Sequence, residues 1–173
     1  MQPLSPAPIQ APISFLAKTP VILETLLRGV PADVMQWKPA AERWSIAEVL
    51  GHLVVIEQLY GERLRRIATE EAPELAKYVA PPESEMAKKS AGAYLEQFVV
   101  LRRPLLVFLN SVPAAAAGRT GKHTELGEVT FSQMLHELAN HDLGHIRQIA
   151  ELYRAHSFYP HGGPFQKYSQ PKP

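Results

Sequence analysis

The feature that most constrains this chain is a proline-free stretch near its C-terminal end. There Leu135, Leu138, Leu143, Ile146, Ile149 and Leu152 recur at the three-and-four-residue spacing of one helix. Thr130 with Gln133 three residues later forms a capping box that launches this helix, which runs to about Ala155. An apolar stripe of that length must lie against other elements, and the rest of the chain offers more helices of the same kind.

A first helix ends near Arg28, with Leu23, Leu26 and Leu27 as its inner face. Thr19 before Pro20 stands where a cap belongs, and Gly29 and Pro31 stop the helix. Residues 30–43 form a connection with one short turn at Asp33–Gln36. Ser45 with Glu48 is another capping box, opening a helix that runs to about Thr69. Glu48, Val49, His52, Val55, Ile56 and Leu59 share one side of it, while Glu57, Glu62, Arg63, Arg65 and Arg66 are expected to face water or pair with neighbouring helices. Pro73, Pro81 and Pro82 mark a loop over 71–83. The next helix is expected from Ser84 to Asn110, with Tyr94, Leu95, Phe98, Leu101, Leu105 and Phe108 toward the core and a kink at Pro104. Residues 112–129 are expected to be a loop closing one end. No strand-type alternation is sustained and no repeat is visible, so the fold class is all-α, a four-helix bundle. The proline-rich residues 1–12 are expected to be a flexible arm, 13–156 the bundle, and 157–173 an irregular tail. Phe158, Tyr159 and Phe165 of that tail are free to dock on the bundle or on a second subunit.

Composition narrows the function. A length of 173 residues suits one domain with a real core, and 46% hydrophobic with 20% charged residues is the globular range. A net charge of +1 without a basic stripe gives no footprint for nucleic acid. No apolar run is long enough to span a membrane, and the N-terminus lacks the basic start and apolar core of a signal peptide. The absence of cysteine removes disulfides, thiolate ligands and a cysteine nucleophile together. The expected setting is cytoplasmic and the expected partner a small-molecule substrate, with neither nucleic acid nor membrane; a homodimer is compatible with the tail.

The chemistry lies in histidines. His141 and His145 are four residues apart, so they stand on one helix face, about 6 Å apart along the axis. Five residues turn His136 some 140° away from His141. His52 sits among aliphatic residues on the other long helix, and three imidazoles in one bundle core need a partner that a divalent metal would supply. Three neutral imidazoles leave a position open for water or substrate and suit zinc, nickel, iron and copper alike; the expected cofactor is a divalent metal such as zinc, nickel, iron or manganese. Glu137, four residues before His141, is a candidate fourth ligand, acceptor or general base. Gln148, three after His145, is a candidate for holding a ligand ring or a bound water, and Glu48, four before His52, is a similar candidate. His123 in the loop is able to reach a substrate, whereas His156 lies about 16 Å beyond His145. His136-Glu137 begins like the H-E-x-x-H protease signature, but position 140 is Asn140, which rules that motif out.

At these residues the chain resembles the DinB-like (DinB/YfiT) superfamily. The matching pieces are Trp44–Leu53 (WSIAEVLGHL), Glu57, His141–Ile149 (HDLGHIRQI), Thr19-Pro20 and Leu26–Pro31 (LLRGVP), so the likeness covers about residues 13–156. The resemblance implies a three-histidine metal site carried by His52, His141 and His145. It also implies enzymes that use a low-molecular-weight thiol, since relatives include a mycothiol-dependent maleylpyruvate isomerase and bacillithiol S-transferases; most other members are known only as DNA-damage-inducible-like proteins or metal-dependent hydrolases. The leading expectation is a metal-dependent thiol S-transferase or isomerase. The alternatives are a metal-dependent hydrolase, and a non-catalytic bundle with a structural metal or a stress-related dimer role.

Overall fold

The computed structural model describes residues 7–80 and 88–172. Among these residues the chain forms α1 (Gln10–Leu16), α2 (Thr19–Leu27), α3 (Ala32–Gln36), α4 (Ile46–Thr69), β1 (Glu74–Leu75), α5 (Ala91–Ser111), β2 (Thr120–His123), β3 (Gly127–Thr130) and α6 (Phe131–Ser157). Short 3-10 helices cover Ala114–Gly118, Tyr159–His161 and Gly163–Tyr168. Helix α4 packs against both α5 and α6, and α1 and α2 together fill the fourth position against α5 and α6. No helix of the described residues is long and apolar enough to cross a membrane.

Several boundaries differ from expectation. Residues 1–6 of the arm lie outside the described residues, but α1 already begins at Gln10 and buries Pro12, Ile13 and Leu16. The first helix is broken at Ala17-Lys18. Thr19 caps nothing: Lys18 takes the cap position, and the buried Thr19 hydroxyl has no partner among the described residues. The expected start at Ser84 lies outside the described residues, and α5 begins at Ala91, where the Ser90 side chain accepts from the Ala93 amide. Leu143, in phase with the apolar stripe, is 55% exposed. The tail is more regular than expected and is tied back to α6, with Arg154 donating to Ser169 and the Lys172 amide donating to Glu151.

The core divides into two clusters. One gathers Leu23, Leu27, Leu50, Leu53, Phe98, Ile149 and Leu152. The other gathers Leu16, Leu64, Ile67, Leu105, Phe131, Leu135 and Leu138. Each such side chain stabilises the fold by about 1.5–3 kcal/mol through removal from water.

Of the two expectations for the charged residues of α4, water or a neighbouring helix, Glu57 takes the second and pairs with Arg102 of α5. Arg102, fully buried, donates from Nε and Nη2 to the Glu57 carboxylate at 2.8 and 2.6 Å and from Nη1 to Asp142 Oδ2 at 2.9 Å. Its Nη1 also donates to the Leu16 carbonyl at 2.9 Å, so one guanidinium ties α1, α4, α5 and α6 together.

The all-α expectation is corrected by a small sheet in strand order β1-β2-β3, with β1 parallel to β2 and β2 antiparallel to β3. A Cβ on Gly121 would stand 2.9 Å from Leu75 Cδ1 and 3.1 Å from Ile67 Cγ1, so glycine lets β2 lie close against β1 and α4. His123 Nδ1 accepts from the Glu125 and Leu126 amides and shapes the turn, which closes with Gly127 at φ +77. The hairpin delivers Thr130 directly as the N-cap of α6, where its capping box with Gln133 is formed.

Candidate metal centre

Both helices that carry the histidines have defined starts. In α4 the Ser45 hydroxyl accepts from the Glu48 amide and the Glu48 carboxylate accepts from the Ser45 amide, which places His52 in the second turn. In α6 the hairpin and the Thr130 cap fix the register of His141 and His145. The contacts run in opposite senses along the two helices: Trp44 stacks beside His145, with ring centroids 6.4 Å apart, and His52 lies beside His141 at 5.0 Å.

The three rings converge through their outer nitrogens. His52 Nε2 is 3.0 Å from His141 Nε2, which is 3.2 Å from His145 Nε2, and one ligand atom from each histidine fits within 4.8 Å of the others. A neutral imidazole nitrogen offers either one N–H or one lone pair. Three such atoms facing one point therefore cannot all be satisfied by one another. The rings are held in the neutral form: burial, with the charge of His145, lowers His52 to about 4, and burial with His145 and His52 lowers His141 to about 3. Burial also lowers His145, opposed by its bond to Gln148 and by Asp142. Gln148 Oε1 accepts from His145 Nδ1 at 2.8 Å, which keeps the proton on Nδ1 and leaves the Nε2 lone pair facing the other two rings. The inner nitrogens of His52 and His141 are buried without partners among the described residues. This donor set suits a divalent cation better than it suits three packed core histidines.

His141 and His145 open into a cavity of about 420 Å³ whose rim includes Arg43, Glu137, Asn140, Arg147, Gln148, Glu151 and Lys172. Glu137 is exposed at that rim and accepts from Asn140 at 3.3 Å. Glu48 has a different task from the one its spacing suggested. Its Oε2 accepts from the Ser45 amide and hydroxyl, and its Oε1 accepts from Lys38 at 2.9 Å, so both oxygens are used at the helix start. His123 is buried on β2 rather than exposed in a loop. His136 turns back to the Ser132 carbonyl, and His156 packs edge-on against Trp37.

Two neighbours of the centre lay outside the sequence reading. Trp44 lies against both His52 and His145, and the Tyr78 ring sits 6.1 Å from His52. An aromatic residue immediately before a capping box is a signal for Trp44; nothing local signals Tyr78, which arrives from the segment after β1.

Fold and centre together define a helical bundle with three histidines gathered on two facing helices. The profile of the DinB superfamily matches residues 16–149, and the chain belongs to that family. It is similar to the uncharacterized protein YuaE of Bacillus subtilis (strain 168), at 29% identity over 143 residues, covering 73% of this chain and 87% of that protein. Its fold resembles that of YfiT from Bacillus subtilis, described as a probable metal-dependent hydrolase with an unusual four-helix bundle topology. The TM-score is 0.76 at 18% identity, over 89% of this chain and 90% of that one.

Proposed function

We propose that His52, His141 and His145 hold one divalent metal ion through their Nε2 atoms and that the centre is hydrolytic. The observation that carries this reading is the meeting of three neutral histidines, one ring nitrogen of each within 4.8 Å of the others, beside an open cavity. A divalent cation there would supply a water acidic enough to ionise near neutral pH and a Lewis acid for a substrate oxygen. Three protein ligands are one fewer than a closed tetrahedral structural site uses.

The chain's own residues divide the remaining work. Gln148 fixes the His145 tautomer, and Trp44 covers the ligand rings with an apolar surface. Glu137 is the proton acceptor of this reading: Asn140 engages its Oε2, while Oε1 has no protein donor among the described residues. The description of YfiT as a probable metal-dependent hydrolase supports the choice of hydrolysis. Thiol transfer or isomerisation, expected from the family resemblance, differs in requiring an added low-molecular-weight thiol.

The test is elemental analysis of tag-free protein beside a His141→Ala/His145→Ala variant, followed by turnover of activated esters and amides with and without thiol. About one metal per chain in the wild type, none in the variant, and hydrolysis without thiol are expected. No metal in either protein after incubation with zinc, nickel, iron and manganese would overturn the metal assignment. Product that forms only with thiol would overturn the hydrolytic one.

A further inference from the structure

A second arginine is buried without, among the described residues, the carboxylate partners that Arg102 has. Arg63 is 5% exposed, its guanidinium lies 5.7 Å over the Tyr60 ring, and its Nη2 donates to the Ala76 carbonyl. None of the ion pairs among the described residues involves it. A cation withdrawn from water without a counter-charge is costly unless something else supplies the charge. Burial pulls its guanidinium below the ordinary value, and Tyr60 and Glu62 oppose that pull.

Arg63 forms part of the wall of a cavity of about 490 Å³. Tyr60, Leu126, Val129 and Met134 give this cavity apolar surface, and exposed Glu128 and Glu137 stand at its edge. Glu137 also lines the opening to His141 and His145, so the two cavities share a wall. On α4, Arg63 is eleven residues beyond His52, on nearly the same face and about 16 Å along the axis.

We propose that this cavity is a subsite for the carboxylate-bearing end of a small-molecule substrate, with Arg63 as the residue that pairs with the carboxylate. A planar guanidinium matches a carboxylate through two parallel hydrogen bonds. Glu128 and Glu137 repel a dianion more than a monoanion, which disfavours a phosphate end. The apolar wall accepts a hydrocarbon or aromatic body behind the carboxylate. That the bound molecule is a substrate rests on the hydrolytic reading above; the pairing with Arg63 does not require a metal.

The experiment is calorimetric titration of metal-free and metal-loaded protein with benzoate, benzamide and phenyl phosphate. The first two have the same shape and differ in charge. Benzoate is expected to bind at least about tenfold more tightly than benzamide in both forms of the protein, and phenyl phosphate no more tightly than benzamide. Arg63→Met is expected to erase the preference for benzoate while leaving benzamide binding intact, and Arg63→Lys to retain part of it. Equal binding of benzoate and benzamide, absence of binding by both, or a benzoate preference that survives in Arg63→Met would each overturn the proposal. A preference for phenyl phosphate would overturn the carboxylate assignment. Benzoate binding confined to the metal-loaded form would place the carboxylate on the metal instead. Should Arg63→Met fail to fold, the wild-type comparison and Arg63→Lys still decide.

Discussion

Gln148 directs its amide oxygen to His145 Nδ1, and this contact decides which nitrogen of the ring faces the metal position. His52 and His141 have no such support among the described residues, so His145 is the ligand whose orientation is built in advance. Gln148→Leu should therefore weaken metal binding by about 10–100-fold, read by competition with a chromophoric chelator. Unchanged affinity would sink this role and leave Gln148 as a rim residue only. The histidines and Gln148 were legible because three-and-four-residue spacing places side chains on one helix face before any tertiary structure is known. Arg102, Glu57 and Arg63 were not. A charged residue in a helix reads the same whether it meets water or a partner, and Glu57 is 45 positions from the arginine that explains its burial.

At the scale of elements, the long helices were legible because their caps are local chemistry: Ser45 with Glu48 and Thr130 with Gln133 each need four residues and no tertiary information. The sheet was not legible. Its strands are two and four residues long, of which Thr120–His123 reads TGKH, with no apolar alternation to detect. The α4 cap carries a pH signature. Burial raises the Glu48 carboxyl, but bonds from the Ser45 backbone, Lys38 and the Ser45 hydroxyl outweigh it and hold the group below its ordinary value. A carboxyl whose folded pKa is depressed contributes stability that is present above its unfolded pKa and is lost as pH falls through the folded one. Glu48→Gln should cost about 1–2 kcal/mol in urea unfolding at neutral pH, with the gap to wild type narrowing as the pH falls below the ordinary carboxylate range. A gap that stays constant across that range would remove the charge of Glu48 from the explanation.

At the scale of the whole molecule, the two apolar clusters meet at a belt of charge. Burial works against the Arg102 cation, yet Asp142 and Glu57 hold it above its ordinary value, and the guanidinium also lies 4.7 Å over the Phe98 ring. Such a belt does not have to add stability over an apolar core of similar volume; its measurable property is that it cannot lose one member alone. Arg102→Met strands Glu57 and Asp142 in the interior and should cost about 3–5 kcal/mol in metal-free protein. Replacing Glu57 and Asp142 by leucine in the same chain removes the stranded charges and should recover part of that loss. The deficit that persists belongs to the Leu16 carbonyl, which has lost its Arg102 donor, and one unpaired buried acceptor accounts for about 1–3 kcal/mol. Asp142 adjoins His141, so urea unfolding without metal isolates the belt from the ligands. A triple variant no more stable than Arg102→Met would show instead that the belt's geometry, linking four helices through one guanidinium, stabilises the bundle beyond what apolar packing replaces.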